Sequence, residues 1–227
     1  MSAIMKTPSE SLFERYCDEQ GFVVKHLIES AAKSTDYQLT IDGLELTAEI
    51  KQFEPTPSEL AQKKALRKDE ALFLDITPGS RVRKKIKDAA PQLKDAAKGR
   101  FPAVLVLYNN RPCRLGNPAS AYEVRVGMYG FETIVLKRPS GFGPAEVIDR
   151  KFGPGKKLTA QDNTTISAVA VIYEHEEGIE LDVYHNVHAA MPLPTGLFAR
   201  YGAREYTLSD RQDGKFQDWV LIGIRGT

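Results

Sequence analysis

Charge is almost balanced across the 227 residues, with 31 Lys and Arg against 30 Asp and Glu, and 42% of the chain is hydrophobic. This composition supports one large α/β domain with a sizeable core and excludes a chain disordered throughout. Two cysteines are too few for a zinc ribbon or a disulfide framework, and no run approaches the ~18 apolar residues of a membrane span, so the sequence reads as a soluble, cytoplasmic protein with no membrane partner.

Thr7-Pro8-Ser9-Glu10 has the form of a capping box with proline at the first helical position. Leu12, Phe13, Tyr16 and Cys17 give the following helix an apolar stripe that ends near Gly21. Phe22 to Glu29 reads as a strand. Asp36 to Lys51 (DYQLTIDGLELTAEIK) reads as a hairpin around Asp42-Gly43, a dipeptide that accepts positive φ at both turn positions. With that turn, opposite residue numbers sum to 85, so Asp36 faces Glu49 with Cβ atoms ~5 Å apart. Tyr37, Leu39, Ile41, Leu44, Leu46, Ala48 and Ile50 share one face of the hairpin; Asp36, Gln38, Thr40, Glu45, Thr47, Glu49 and Lys51 share the other.

Two carboxylates placed opposite each other repel, so a cation is expected between them, and both a divalent metal and Lys51 meet that need. The plain alternative is a polar face shown to water, with Lys51 neutralising Glu49. The acid-x-Lys pattern recurs at Asp149-Arg150-Lys151, before a Gly-Pro loop, and at Asp213-Gly214-Lys215, in a turn-like stretch, so neither is expected on an alternating strand opposite another acid.

Beyond the hairpin, Glu54 to Lys68 reads as a polar, basic excursion, Leu72 to Ile76 as a short apolar piece, and Pro78-Gly79 as a break. A helix is predicted from about Ser80 to Lys98, with Val82, Ile86, Ala89, Ala90, Leu93 and Ala97 on its apolar side and a kink at Pro91. Pro102 to Tyr108 is a continuous apolar run, as expected of a strand buried on both faces and reached through a helical crossover. In the second half, Tyr122 to Lys137 shows strand-like alternation interrupted by Gly127 and Gly130, and residues 139–163 read as a long loop. Ile166 to Tyr173, Ile179 to Tyr184 and Phe216 to Ile224 are predicted strands, most simply extending the first sheet. The expectation is therefore a single domain over 1–227, with a core at 7–108 and a β-rich C-terminal extension at 109–227.

The order helix, three strands, helix, strand over residues 7 to 108, with Thr35-Asp36 on the second strand and Glu49-Ile50-Lys51 on the third, resembles the PD-(D/E)xK nuclease superfamily, the restriction-endonuclease-like phosphodiesterases. Thr35 stands where the family name has proline. The resemblance implies an αβββαβ core with a mixed central sheet. It also implies a catalytic set of Asp36, Glu49 and Lys51, with Asp36, Glu49, the Ile50 carbonyl and Glu14 as metal ligands. Hard carboxylate oxygens suit Mg²⁺, for which Mn²⁺ substitutes, and the lysine in such enzymes orients the attacking water.

Charge distribution suggests the substrate. Ala61 to Arg100 holds 12 Lys or Arg against 5 acids, a local excess of +7 in a chain whose net charge is +1. Such asymmetry steers a polyanion to one face, although a lysine run such as RVRKKIK also serves as a solvated helix face. Lys85 and Gln92 lie on one flank of the helix and Arg83 and Lys87 on the other, with Lys84 between them; these five are the candidate nucleic-acid contacts. His185 and His188 lack a third partner for a metal site and read as ordinary hydrogen-bonding residues. FGPGKK at 152–157 lacks phosphate-loop spacing and reads as a flexible basic loop. The favoured function is a metal-dependent nuclease acting on DNA, with RNA less favoured; the alternative is a non-catalytic nucleic-acid-binding or protein-interaction module that keeps the fold. Either leaves a homodimer open.

Overall fold

The computed structural model describes residues 6–27, 37–66, 77–111, 117–209 and 218–222. Helix α1 (Pro8–Gln20) starts at the expected capping box: Thr7 Oγ1 accepts from the Glu10 N–H at 3.3 Å, and the Glu10 carboxylate accepts from the Thr7 N–H. It ends at Gly21, whose φ of 72° is open to glycine at little cost. Strand β1 (Val23–His26) leads to the hairpin of β2 (Tyr37–Ile41) and β3 (Leu44–Phe53). Asp42 and Gly43 have φ of 50° and 80°, and every described pair from Tyr37↔Ala48 to Ile41↔Leu44 keeps the register sum of 85.

Helices α2 (Pro57–Leu66) and α3 (Ser80–Ala97) form the crossover to β4 (Ala103–Asn109), which runs parallel to β3. Next come α4 (Ala121–Tyr129), the two-stranded arm of β5 (Glu132–Lys137) and β6 (Glu146–Phe152), and then β7 (Ile166–His175), β8 (Gly178–His185), β9 (Arg204–Leu208) and β10 (Trp219–Leu221). Among the described residues eight strands make one mixed sheet in the order β1-β2-β3-β4-β7-β8-β9-β10, so that β7 to β10 continue the sheet of β1 to β4 while β5 and β6 pair apart from it.

Period-2 alternation divides the sheet into two cores. Tyr37, Leu39, Leu46, Ala48, Ile50, Val104 and Val106 face α1, together with Leu193, Leu197 and Phe198 from the loop that follows β8. Phe53, Leu105, Leu107, Val169, Val171 and Tyr184 face α3 and α4. The residues of β4 from Ala103 to Leu107 are all buried, as a strand covered on both faces requires. On α3, Val82, Ile86, Ala89, Leu93 and Ala97 are buried; each of the larger side chains contributes about 1.5–3 kcal/mol relative to exposure.

Several expectations need correction. The excursion at Glu54 to Lys68 holds helix α2, started by a second capping box in which the Thr56 N–H donates to Glu59 Oε2 at 2.7 Å and the Glu59 N–H donates to Thr56 Oγ1 at 3.3 Å. Tyr122 to Lys137 is not one interrupted strand but helix α4 followed by β5. Gly127 permits α4 to lie close on α3, since a Cβ there would sit 2.5 Å from Val82 Cβ. Residues 139–163 contain β6, a largely exposed strand whose apolar residues, Val147, Ile148 and Phe152, do not alternate with its polar ones. The apolar piece at Leu72 to Ile76, Cys113, and the beginning of the strand expected at Phe216 lie outside the described residues.

Candidate active site on strand β3

Alternation along β3 sends Ile50 into the core beneath α1, while Glu49 and Lys51 point to the side covered by α3. Glu49 is fully buried. Its carboxylate Oε1 takes the ammonium of Lys51, a side chain that is itself 24% exposed. From α3, Gln92 Oε1 accepts from Lys51 Nζ at 3.2 Å. Strand and helix thus converge on one ammonium group: Glu49 beneath it, Gln92 above it, and solvent at its outer side.

Cations crowd the rim. Lys85 is half-buried on α3, and burial first, then the nearby Lys51 charge, moves its ammonium below the usual lysine range. Its Nζ lies 5.8 Å from the centre of the Phe53 ring, and the Arg81 guanidinium lies 5.6 Å from the same ring. Arg81 also donates to Glu59 Oε1 on α2 at 2.9 Å, and Arg111 pairs with the same carboxylate. Burial opposes ionisation of Glu59, but the Thr56 N–H and these guanidinium groups hold it below the ordinary carboxylate value. Lys84 and Lys87 are exposed on the outside of α3. Arg83 points elsewhere, toward Gly79 and Gly155, with its Nη1 buried.

The structure therefore brings together Glu49, Lys51, Lys85 and Gln92. Glu14 is elsewhere: on α1 its carboxylate accepts from Tyr37 Oη at 2.9 Å and pairs with Lys6, contacts that belong to the opposite face of the sheet. Asp36, and with it the expected Asp36–Glu49 pairing, lies outside the described residues. The ion pairs of Glu59 were not anticipated from sequence. Their signal was Thr56-Pro57-Ser58-Glu59, a repeat of the tetrapeptide that starts α1.

Among the described residues no three His, Cys, Asp or Glu side chains gather as a metal-binding group. The chemistry of the donors still suits a hard cation, because Mg²⁺ commonly takes one or two carboxylates and fills its remaining positions with water and substrate oxygens. Glu49 is one such donor, withdrawn from bulk water and accompanied by an ammonium group.

His185 hydrogen-bonds through its ring, whereas His188 donates its main-chain N–H to Asn186 Oδ1 at 3.0 Å and sets its ring 6.0 Å from that of Tyr129. His185 Nε2 lies 2.9 Å from Glu205 Oε2 on β9, and this fully buried carboxylate also accepts the N–H groups of Gly196 at 2.7 Å, Phe198 at 2.6 Å and Ala199 at 2.8 Å. Burial pushes the Glu205 carboxyl up, but His185 and these amides outweigh it and leave its pKa below the ordinary value. Cys17 lies on the buried face of α1, its thiol pushed up to about 12 by burial. Of the described residues, no helix is long and apolar enough to cross a membrane. Comparisons with family models, with curated proteins and with solved structures found no match for this chain.

Proposed function

We propose that this chain is a divalent-metal-dependent nuclease that hydrolyses phosphodiester bonds in DNA, with RNA the less favoured substrate. The observation that carries the reading is the buried Glu49 carboxylate with Lys51 on the same strand face, held from above by Gln92. A structural ion pair needs neither a glutamine from another helix on its ammonium nor a rim of further cations. The order α1-β1-β2-β3-α2-α3-β4, with a basic helix in the crossover, supports the same reading.

Glu49, with Asp36 as the second carboxylate and the Ile50 carbonyl as a further ligand, would hold Mg²⁺ or Mn²⁺, and Glu14, turned to the opposite face of the sheet, drops out of the proposed ligand set. The bound ion would supply Lewis acidity at a phosphoryl oxygen and a water of lowered pKa. The chain's own residues do the rest. Lys51 keeps an ammonium at the solvent edge of a buried carboxylate, where it orients a water and meets negative charge as it develops on phosphate oxygens. Gln92 fixes the Lys51 rotamer through its carbonyl oxygen, which reduces the reorganisation needed at the moment of reaction. Lys85, close to Lys51 and partly desolvated, donates to a phosphate flanking the scissile bond, and the exposed Lys84 and Lys87 of α3 follow the backbone.

The direct test incubates the purified protein with plasmid, linear and single-stranded DNA and with RNA, in Mg²⁺, Mn²⁺ or chelator. Cleavage in metal and none in chelator is expected. Binding without cleavage under every condition would instead favour the non-catalytic module. Calorimetric titration with Mn²⁺ adds a second readout: Asp36→Asn and Glu49→Gln are each expected to weaken binding, and unchanged affinity removes that residue from the metal site.

A further inference from the structure

A second polar feature lies on the same side of the sheet, far from Lys51. Between α4, the start of β5, the end of β6 and β10 is a cavity of about 250 Å³, bordered by Tyr122, Arg125, Glu132, Phe152 and Trp219. In strand order β10 is five places from β3, about 24 Å at the usual spacing. The wall behind the cavity is unusually aromatic. The Tyr184 and Tyr206 rings stack 5.1 Å apart, and Trp219 meets Tyr184 at 5.6 Å and Tyr129 at 5.7 Å.

Arg125 is set into this wall, its guanidinium 5.3 Å from the ring centre of Trp219, 5.5 Å from Tyr206 and 5.8 Å from Tyr184. Cation–π contact explains why the side chain lies there, but not its hydrogen bonding. Arg125 Nε is buried with no acceptor among the described residues, and so is Trp219 Nε1. Glu132, which also borders the cavity, lies 3.5 Å from Arg150, and Arg150 also pairs with Asp218. A guanidinium stacked among aromatic rings thus borders a space smaller than the ~300 Å³ at which drug-sized sites begin.

We propose that this cavity binds the base of one unstacked nucleotide. A planar, electron-rich ring fits aromatic walls and the face of a guanidinium. Tyr122, 56% exposed at the border of the cavity, provides a stacking surface on the solvent side. The choice of a nucleobase among planar acceptors rests on the proposed nuclease function. The site itself does not, because it shares no residue with Glu49, Lys51 and Gln92. A strand engaged at Lys51 would be held a second time at its unpaired end, favouring single-stranded or frayed substrates.

Trp219 is the only tryptophan of the chain, so its emission reports on the cavity directly. Titration of the full-length protein in chelator with thymidine 5′-monophosphate and with a short oligothymidylate should give saturable quenching. Tyr122→Ala should weaken the apparent affinity about 5-fold to 100-fold, the range for losing one stacking surface. Arg125→Gln should do so too, with Arg125→Lys restoring part of the loss; near-ultraviolet circular dichroism shows whether each variant keeps its fold, and Tyr122→Ala decides if Arg125→Gln does not. Absence of saturable quenching by either ligand, or equal quenching in wild type and Tyr122→Ala, overturns the proposal. Lys51→Ala separates the two readings: loss of cleavage with quenching retained supports both sites. Quenching by a protein that never cleaves keeps the pocket and rejects the nuclease.

Discussion

Two glutamates, Glu49 on β3 and Glu205 on β9, are both 0% exposed, yet their surroundings differ in kind. Glu205 is held by three main-chain N–H groups and one imidazole, all from segments fixed by the fold, and it ties the loop at 196–199 to the sheet. Glu49 takes the ammonium of Lys51, a side chain that reaches solvent and is itself steadied by Gln92. Main-chain donors cannot leave without unfolding the loop. An ammonium on a flexible stem can turn to a water or a phosphate. Burial of a carboxylate thus does not indicate its role; the nature of its donors does.

The largest expected effect tests the structural half of this contrast. Glu205→Ala strands three amides and an imidazole in the interior and should cost about 3–5 kcal/mol in urea unfolding, whereas Glu49→Gln should stay within about 1 kcal/mol of the wild type. Equal losses would erase the distinction. Next comes the chemical half: Lys51→Ala should lower single-turnover cleavage ~10²-fold or more while leaving nucleic-acid affinity nearly unchanged. If Lys51 merely neutralises Glu49, cleavage will be unaffected.

Acid sharpens the comparison further. The Glu205 carboxyl has a folded pKa below its unfolded value of about 4.3, so its contribution is fully present above that value and is lost as pH falls through the lower, folded pKa. Urea midpoints followed below pH 5 should therefore drop more steeply in wild type than in Glu205→Gln; parallel curves would show that Glu205 does not carry the acid sensitivity. The smallest effect concerns the rim. Neutralising Lys84, Lys85 and Lys87 together should flatten the salt dependence of DNA binding, the log–log slope falling by about 0.9 for each phosphate that no longer meets a lysine. An unchanged slope would make them a solvated helix face.

How much of this was legible in the sequence follows the range of the interactions. The hairpin register was readable because Asp42-Gly43 and a period of two fix it locally, and α1 because its cap lies within four residues. Helix α2 carried the same Thr-Pro-Ser-Glu cap, but its basic, weakly amphipathic body hid the start signal. Helix α4 was concealed differently. It is buried at Val124, Val126, Gly127, Met128 and Tyr129, and apolar residues on several sides of a helix imitate the alternation of a strand. At the site, Glu49 and Lys51 followed from alternation and Gln92 from its place on the predicted helix, whereas Arg83 departed because its surroundings are set by α4 and Gly155. The Glu205 clamp joins positions 185, 196–199 and 205 through a parallel β8–β9 pairing that no local pattern announces.

Strand lengths taper across the eight-stranded sheet: β3 and β7 each have ten residues, while the edge strands β1 and β10 have four and three. An edge exposes unpaired amides and carbonyls that another sheet can adopt, and the length of that template sets how securely a stray strand adheres. Short borders around long inner strands therefore discourage sheet-to-sheet fusion between copies, even though Val23 on one border and Val220 and Leu221 on the other offer apolar surface to water.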